Sequence, residues 1–193
     1  MNRILDFLFV RRPHVCPWWC CFTFDNPVRK LFHDPTKMLT PFVRPGFSVI
    51  DIGPGMGYFT IPLCHLVGDK GKVLAVDIQQ KMLDVVEKRA AREKVVHRLA
   101  TRVASRKSLN IKERADFVLA FWMAHEVPVK ERFFQEIACS LSDDGLFLMV
   151  EPLIHVSASS FSRTMDTAMK SGLRITSSPR VALSRSALFE RDE

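Results

Sequence analysis

From residue 46 onward, apolar runs and turn residues alternate at a steady interval. FSVIDIG (47–53) is a short β-branched run closed by glycine, the pattern of a strand buried on both faces. VLAVDI (73–78), ADFVLAFW (115–122) and LFLMVEP (146–152) repeat it, the last stopped by proline. Between them lie stretches of helical period: 58–67, QQKMLDVVEKRAAREK (79–94), VKERFFQEIACSL (129–141) and 160–171, which Gly172 ends. GDKGK (68–72) and DDG (143–145) read as turns. RLATRVAS (98–105) differs, because Leu99, Thr101 and Val103 alternate with Arg98, Ala100 and Arg102. That alternation predicts one wet face and a place at a sheet edge. Residues 174–191 hold two further strands in a hairpin-like close.

Strands alternating with helices predict an α/β fold, a Rossmann-like, doubly wound and mostly parallel sheet with right-handed crossovers. No helix separates the last two strands, so one of them runs antiparallel. Residues 1–45, rich in proline and aromatics, are expected to form a helical, aromatic lid over the domain formed by 46–193. Asp25-Asn26-Pro27 reads as a helix start with Asn26 as its cap. A length of 193 residues, 47% of them hydrophobic and 25% charged, suits a single packed domain. The apolar run Phe7 to Val10 is too short for a signal-peptide core, and no uncharged apolar stretch reaches about 18 residues. The expectation is a cytoplasmic protein with no membrane partner, monomeric or homodimeric. Cys64 and Cys139 lie in apolar contexts and are expected to be buried thiols.

The formal net charge of +7 is uneven. Residues 88–114 carry ten Lys and Arg against Glu93 and Glu113, so this one segment holds the whole excess. It reads as a nucleic-acid footprint or as a solvated edge, and the lack of interleaved aromatics favours the edge.

The candidate chemistry starts at VIDIGPGMGYFT (49–60), where Gly53, Gly55 and Gly57 follow a strand directly. A dinucleotide fingerprint would need glycine at 58, where Tyr58 stands, and a P-loop would need a lysine after Gly57. Both phosphate readings weaken. What remains is D-x-G-x-G-x-G, with Asp51 at the strand end suited to a cationic amino group. Asp77 ends the second strand, twenty residues past Gly57, where a carboxylate takes both hydroxyls of a ribose. The ligand so described has an amino-acid head, a ribose and no phosphate.

Asp51-Ile-Gly-Pro-Gly-Met-Gly57 with VLAVDIQ (73–79) resembles the first motif and its follower in class I S-adenosylmethionine-dependent methyltransferases. ADFVLAFWMAHEV (115–127) is similar to the family's fourth motif, and LSDDGLFLMVEP (141–152) to its fifth-strand turn. The resemblance spans roughly 40–191 and implies seven strands in the order 3-2-1-4-5-7-6, with the last antiparallel, and S-adenosylmethionine as cofactor. It implies that Gly53, Gly55 and Gly57 shape the methionine-binding loop, that Asp51 supports it, that Asp77 holds the ribose and that Ile78 packs on adenine. Phe121 and Trp122 would close over the cofactor. Where the family often has an acid after the third strand, this sequence has Ser105, Arg106 and Lys107, so Ser105 or a backbone group would serve adenine.

Methyl transfer from a sulfonium is a direct displacement, which needs alignment and, for some acceptors, a base. His125, Glu126, Glu151 and His155 ring the expected mouth, with His125 or His155 the candidate base and Glu151 read as a loop anchor. The expected acceptor is a small molecule. One alternative is an RNA acceptor bound through 88–114; another is a non-catalytic cofactor-binding module. His14, Cys16, Cys20 and Cys21 (HVCPWWCC) do not follow a zinc-finger spacing, so they are read as thiols in a lid wall with Trp18, Trp19, Phe22 and Phe24, and no metal is expected.

Overall fold

β1 (Ser48–Ile52) is the first strand among the described residues and runs through the middle of a seven-stranded sheet. In the computed structural model, which describes residues 27–192, it pairs in parallel with β2 (Lys72–Asp77) on one side and β4 (Ala115–Phe121) on the other. β3 (Leu99–Val103) closes one edge beside β2, as its alternation predicts. β5 (Leu141–Pro152) lies beyond β4, and β7 (Ser184–Arg191) is inserted antiparallel between β5 and β6 (Leu173–Ser177). The order is therefore β3-β2-β1-β4-β5-β7-β6.

Strand alternation sorts the core into two layers. Val49, Phe117, Leu119, Leu148 and Val150 pack toward Leu39, Val43 and helix α3 (Thr60–Val67). Ile50, Ile52, Val118, Phe147 and Met149 pack toward α5 (Lys130–Ser140) and α6 (Ala158–Lys170). Helix α4 (Gln80–Arg92) covers β2 with Leu83 and Val86. Among the described residues no helix is long and apolar enough to cross a membrane.

Two details differ from the sequence reading. β5 starts at Leu141 and takes in the expected DDG turn, because a bulge lets Leu141 pair with Ala115 before Leu146 pairs with Phe117. The bulge leaves no room at Gly145, where a Cβ would stand 2.8 Å from the Ala115 carbonyl oxygen. Cys64 is buried, but Cys139 is exposed. Its neighbours Phe133, Phe134, Ile137 and Ala138 take the inner side of α5 and turn position 139 to solvent.

Residues 27–45 form two short helices, α1 (Pro27–Phe32) and α2 (Pro35–Leu39). Asp34 starts α2 by accepting from the Thr36 and Lys37 amides, with Pro35 at the first helical position. Between the helices the buried His33 lies 2.7 Å through Nε2 from the Ala182 carbonyl oxygen and sets its ring edge-on to Phe121 and Trp122. Tyr58 donates its hydroxyl to the His33 carbonyl at 2.8 Å. This segment thus lies across the carboxyl end of β4 and the β6–β7 loop. The cluster His14, Cys16, Cys20 and Cys21, the aromatics Trp18, Trp19, Phe22 and Phe24, and Asn26 lie outside the described residues.

Phe117 is fully buried in β4 and stacks on Phe42 at 5.9 Å. We expect Phe117→Ala to lower stability by about 3–5 kcal/mol in urea unfolding. Val103→Ala, at the exposed edge, should stay within about 0.5 kcal/mol of the parent.

Candidate functional site

Parallel strands bring their carboxyl ends to one rim, and the turns that follow β1, β2, β4 and β5 meet there. The turn after β1 is the glycine loop. Gly53 has φ +66°, and a Cβ on it would stand 2.8 Å from Met123 Cγ. Position 53 is thus closed to a side chain twice over, by conformation and by contact. Gly55 is left-handed at φ +55°, but a Cβ there would meet nothing within 4 Å, so the loop is open on that side. Gly57 follows at the start of α3, where its carbonyl accepts from the Ile61 amide.

Asp51 is buried behind the loop and accepts from Thr60 Oγ1 at 2.6 Å. Burial pushes its carboxyl up to about 7, with the Thr60 hydrogen bond opposing and the Asp77 charge adding. Asp77 ends β2 and is 9% exposed, its Oδ1 accepting from the Gln79 amide at 2.8 Å. Burial pushes it up to about 6 against the hydrogen bonds of the Gln79 and Ile78 amides. Neither carboxylate faces a cation among the described residues. Two buried acids without a counter-charge, beside a loop open at Gly55, fit a ligand that carries positive charge and paired hydroxyls. Ile78, 37% exposed next to Asp77, offers an apolar surface for a flat ring.

Phe121 and Trp122 are less free than expected. Phe121 is buried against Phe59 at 4.3 Å, under His33. Trp122, at φ +59°, donates Nε1 to Ser184 Oγ at 2.9 Å. The side chain that meets Gly53 is Met123, which an apolar residue in an apolar run could not announce. Ser105 is tied into its own turn: its hydroxyl accepts from the Lys107 and Ser108 amides, and a β-bridge joins it to Ser108.

Beyond Met123, the 3₁₀ turn Ala124–Glu126 carries two of the catalytic candidates, His125 and Glu126. His125 Nδ1 lies 2.5 Å from Glu151 Oε2, and Glu151 Oε1 accepts the Ala124 amide at 2.8 Å. Glu151, 1% exposed, therefore anchors the turn as expected and also fixes a ring that the sequence reading left without a partner. A carboxylate on Nδ1–H leaves Nε2 as the acceptor nitrogen. His155, exposed after β5, stacks on His125 at 6.0 Å and 15°. Glu126 is half-buried one position further along the turn.

Four of the ten basic residues of segment 88–114 are engaged with this chain. Arg98 pairs with Asp69, Arg102 with Glu113, and Arg114 with Asp143 at 3.2 Å. Arg89 donates to the Met56 carbonyl inside the glycine loop at 2.8 Å.

A family model described as a methyltransferase domain matches residues 49–145. Over 109 residues the chain is 28% identical to a ubiquinone/menaquinone biosynthesis C-methyltransferase of Shewanella sp. (strain W3-18-1). That match takes in 56% of this chain and 43% of the relative, so the chain aligns with less than half the length of the curated relatives it matches first. A solved S-adenosylmethionine-dependent methyltransferase from Aquifex aeolicus superposes with a TM-score of 0.79 at 19% identity, over 91% of this chain and 98% of that one. A ribosomal protein L11 methylase from Lactobacillus delbrueckii subsp. bulgaricus does so at 0.66 and 16%, over 84% and 79%. These likenesses show the fold.

The raised acids set a pH dependence. From about pH 4 to 7 the folded chain holds protons on Asp51 and Asp77 that the unfolded chain releases, so their contribution to stability is lost as pH rises. We expect the urea midpoint to fall across that window, and Asp51→Asn to flatten the fall.

Proposed function

The chain belongs to the class I S-adenosylmethionine-dependent methyltransferase family, and on that premise we propose that it methylates a small-molecule acceptor whose proton His125 takes. The observation that carries this reading is the Glu151–His125 pair on the turn that also presses Met123 against Gly53. When bound, S-adenosylmethionine would supply a methyl group for direct transfer to the acceptor's nucleophilic atom, its sulfonium sulfur departing as a neutral thioether. The chain's part is to hold the cofactor, orient the acceptor and remove a proton.

The cofactor would lie along the loop from Gly53 to Gly57. Asp77, ionised and already oriented by two backbone amides, accepts the two ribose hydroxyls, and Ile78 lies against adenine. Asp51 supports the loop from behind through Thr60 rather than by direct reach, because it is fully buried. Ser105 is committed to its own turn, so backbone groups of that loop serve the adenine edge. His125 stands at the exit of β4 with Nδ1 on Glu151, so Nε2 is the base and Glu151 its positioning residue. His155, stacked beside it, shapes the acceptor side.

The ubiquinone/menaquinone biosynthesis role of the Shewanella relative supports a small-molecule acceptor, and the pairing of Arg98, Arg102 and Arg114 within the chain supports it over RNA.

Calorimetry should give saturable binding of S-adenosylmethionine and its demethylated product. Asp77→Ala should weaken both by at least about tenfold, and Ser105→Ala should change neither. Cofactor affinity should fall below about pH 6, as Asp77 gains its proton, and Asp77→Asn should remove that pH dependence. In methyl transfer to an acceptor found by screening, His125→Ala should lower kcat by about 10²–10⁴-fold. Glu151→Gln should lower kcat less and shift the pH profile. A full rate from His125→Ala would remove the base assignment.

A further inference from the structure

A cavity of about 580 Å³ lies between the start of α6 and the β6–β7 loop, lined among others by Phe161, Ser178, Arg180, Val181 and Arg185. It is next to the site just described. Ala182, in its wall, accepts from His33, and Ser184 accepts from Trp122. Arg185 pairs across the β5–β7 ladder with Glu151, the residue that holds His125. Cross-strand partners share a face with Cβ atoms about 4.5–5.5 Å apart, so Arg185 springs from beside the proposed base.

Neither arginine is neutralised. Arg185 is half-buried and donates Nε to the Val156 carbonyl at 3.2 Å, which fixes the guanidinium stem. Both oxygens of Glu151 are taken by the Ala124 amide and His125. Among the described residues, Arg185 and Arg180 have no carboxylate partner. The first residue of α6, Ala158, lies in the same wall, and the positive end of that helix adds to the field. The remaining lining mixes apolar Phe161, Pro179 and Val181 with Ser178, Ser184 and Ser186.

We propose that this cavity is the acceptor's specificity subsite and that it takes an anionic group, a carboxylate or a phosphate monoester, on Arg185 with Arg180 at its mouth. The inference rests on the methyltransferase reading for calling the ligand an acceptor. It places the acceptor's anionic end at Arg185 and its nucleophilic atom toward His125. A planar guanidinium with its Nη groups free matches either anion by paired hydrogen bonds. A neutral analogue of the same shape would leave that charge without a partner.

The test uses the full chain and three probes of similar size: benzoate, phenyl phosphate and the neutral benzamide. Each is titrated calorimetrically at constant ionic strength, with and without the demethylated cofactor. The two anions should bind at least about tenfold tighter than benzamide. Arg185→Gln should erase that preference, Arg180→Gln should reduce it, and Arg92→Gln, at the exposed end of α4, should leave it intact. The ranking of the two anions tells carboxylate from phosphate. Equal affinity for all three probes, no saturable binding of any, or a preference that survives Arg185→Gln overturns the proposal. Cofactor binding on the same samples reports folding and separates the two readings. A chain that ignores the cofactor but keeps the anion preference loses the methyltransferase reading and keeps the subsite.

Discussion

A carboxylate removed from water must have its oxygens satisfied or it destabilises the fold by several kcal/mol. Glu151, at the end of β5, meets that requirement from a single neighbouring turn, with one oxygen on the Ala124 amide and the other on His125. The turn cannot drift without leaving a buried charge exposed to apolar surroundings. Because the turn is fixed, Met123 is fixed, and it closes one side of Gly53. The left-handed Trp122, bonded through its backbone to Val150 and through its indole to Ser184, leads the chain into that turn. Cofactor loop and proposed base are thus set by one buried acid.

The two halves of the rim are made of different material. The half around β1 and β2 is mainly backbone: a left-handed loop, and amides that orient Asp77. Such a surface can lie close to a ligand and hardly varies with side-chain motion. The half around β4, β5 and β7 is made of side chains, His125, His155 and Arg185, mounted on elements that the sheet holds rigid. A shared cofactor with variable acceptors calls for this division, since side chains can change without disturbing the loop.

The edge position of β3 and the glycine loop could be read from local pattern, period two at 99–103 and turn residues at 53–57, while the strand order followed from the resemblance to the methyltransferase family. The pairs that complete the site are remote in sequence. His125 and Glu151 are 26 residues apart, and His33 reaches Ala182 across 149. Nothing local marks Glu151 as a partner rather than a plain loop anchor, or Met123 as the residue that meets Gly53. Ser105 shows the opposite case. Its position suited adenine, but a serine followed by Arg-Lys-Ser closes a turn on its own hydroxyl. The early start of β5 depends on Ala115, 26 residues upstream of Leu141, through a bulge that no local period records.

β7 is made after β5 and β6, yet it fills the gap between them. Until residues 184–191 emerge, β5 keeps one side of its ladder unpaired, and β6 has nothing to join. The nascent chain therefore carries a nearly complete half-sheet with an apolar open edge, Phe147 to Val150, for the whole time that α6 and β6 are being synthesised. Strand insertion closes that edge and carries Arg185 to its place beside Glu151 in the same event. Assembly of the proposed acceptor side and closure of that open strand edge are thus one event.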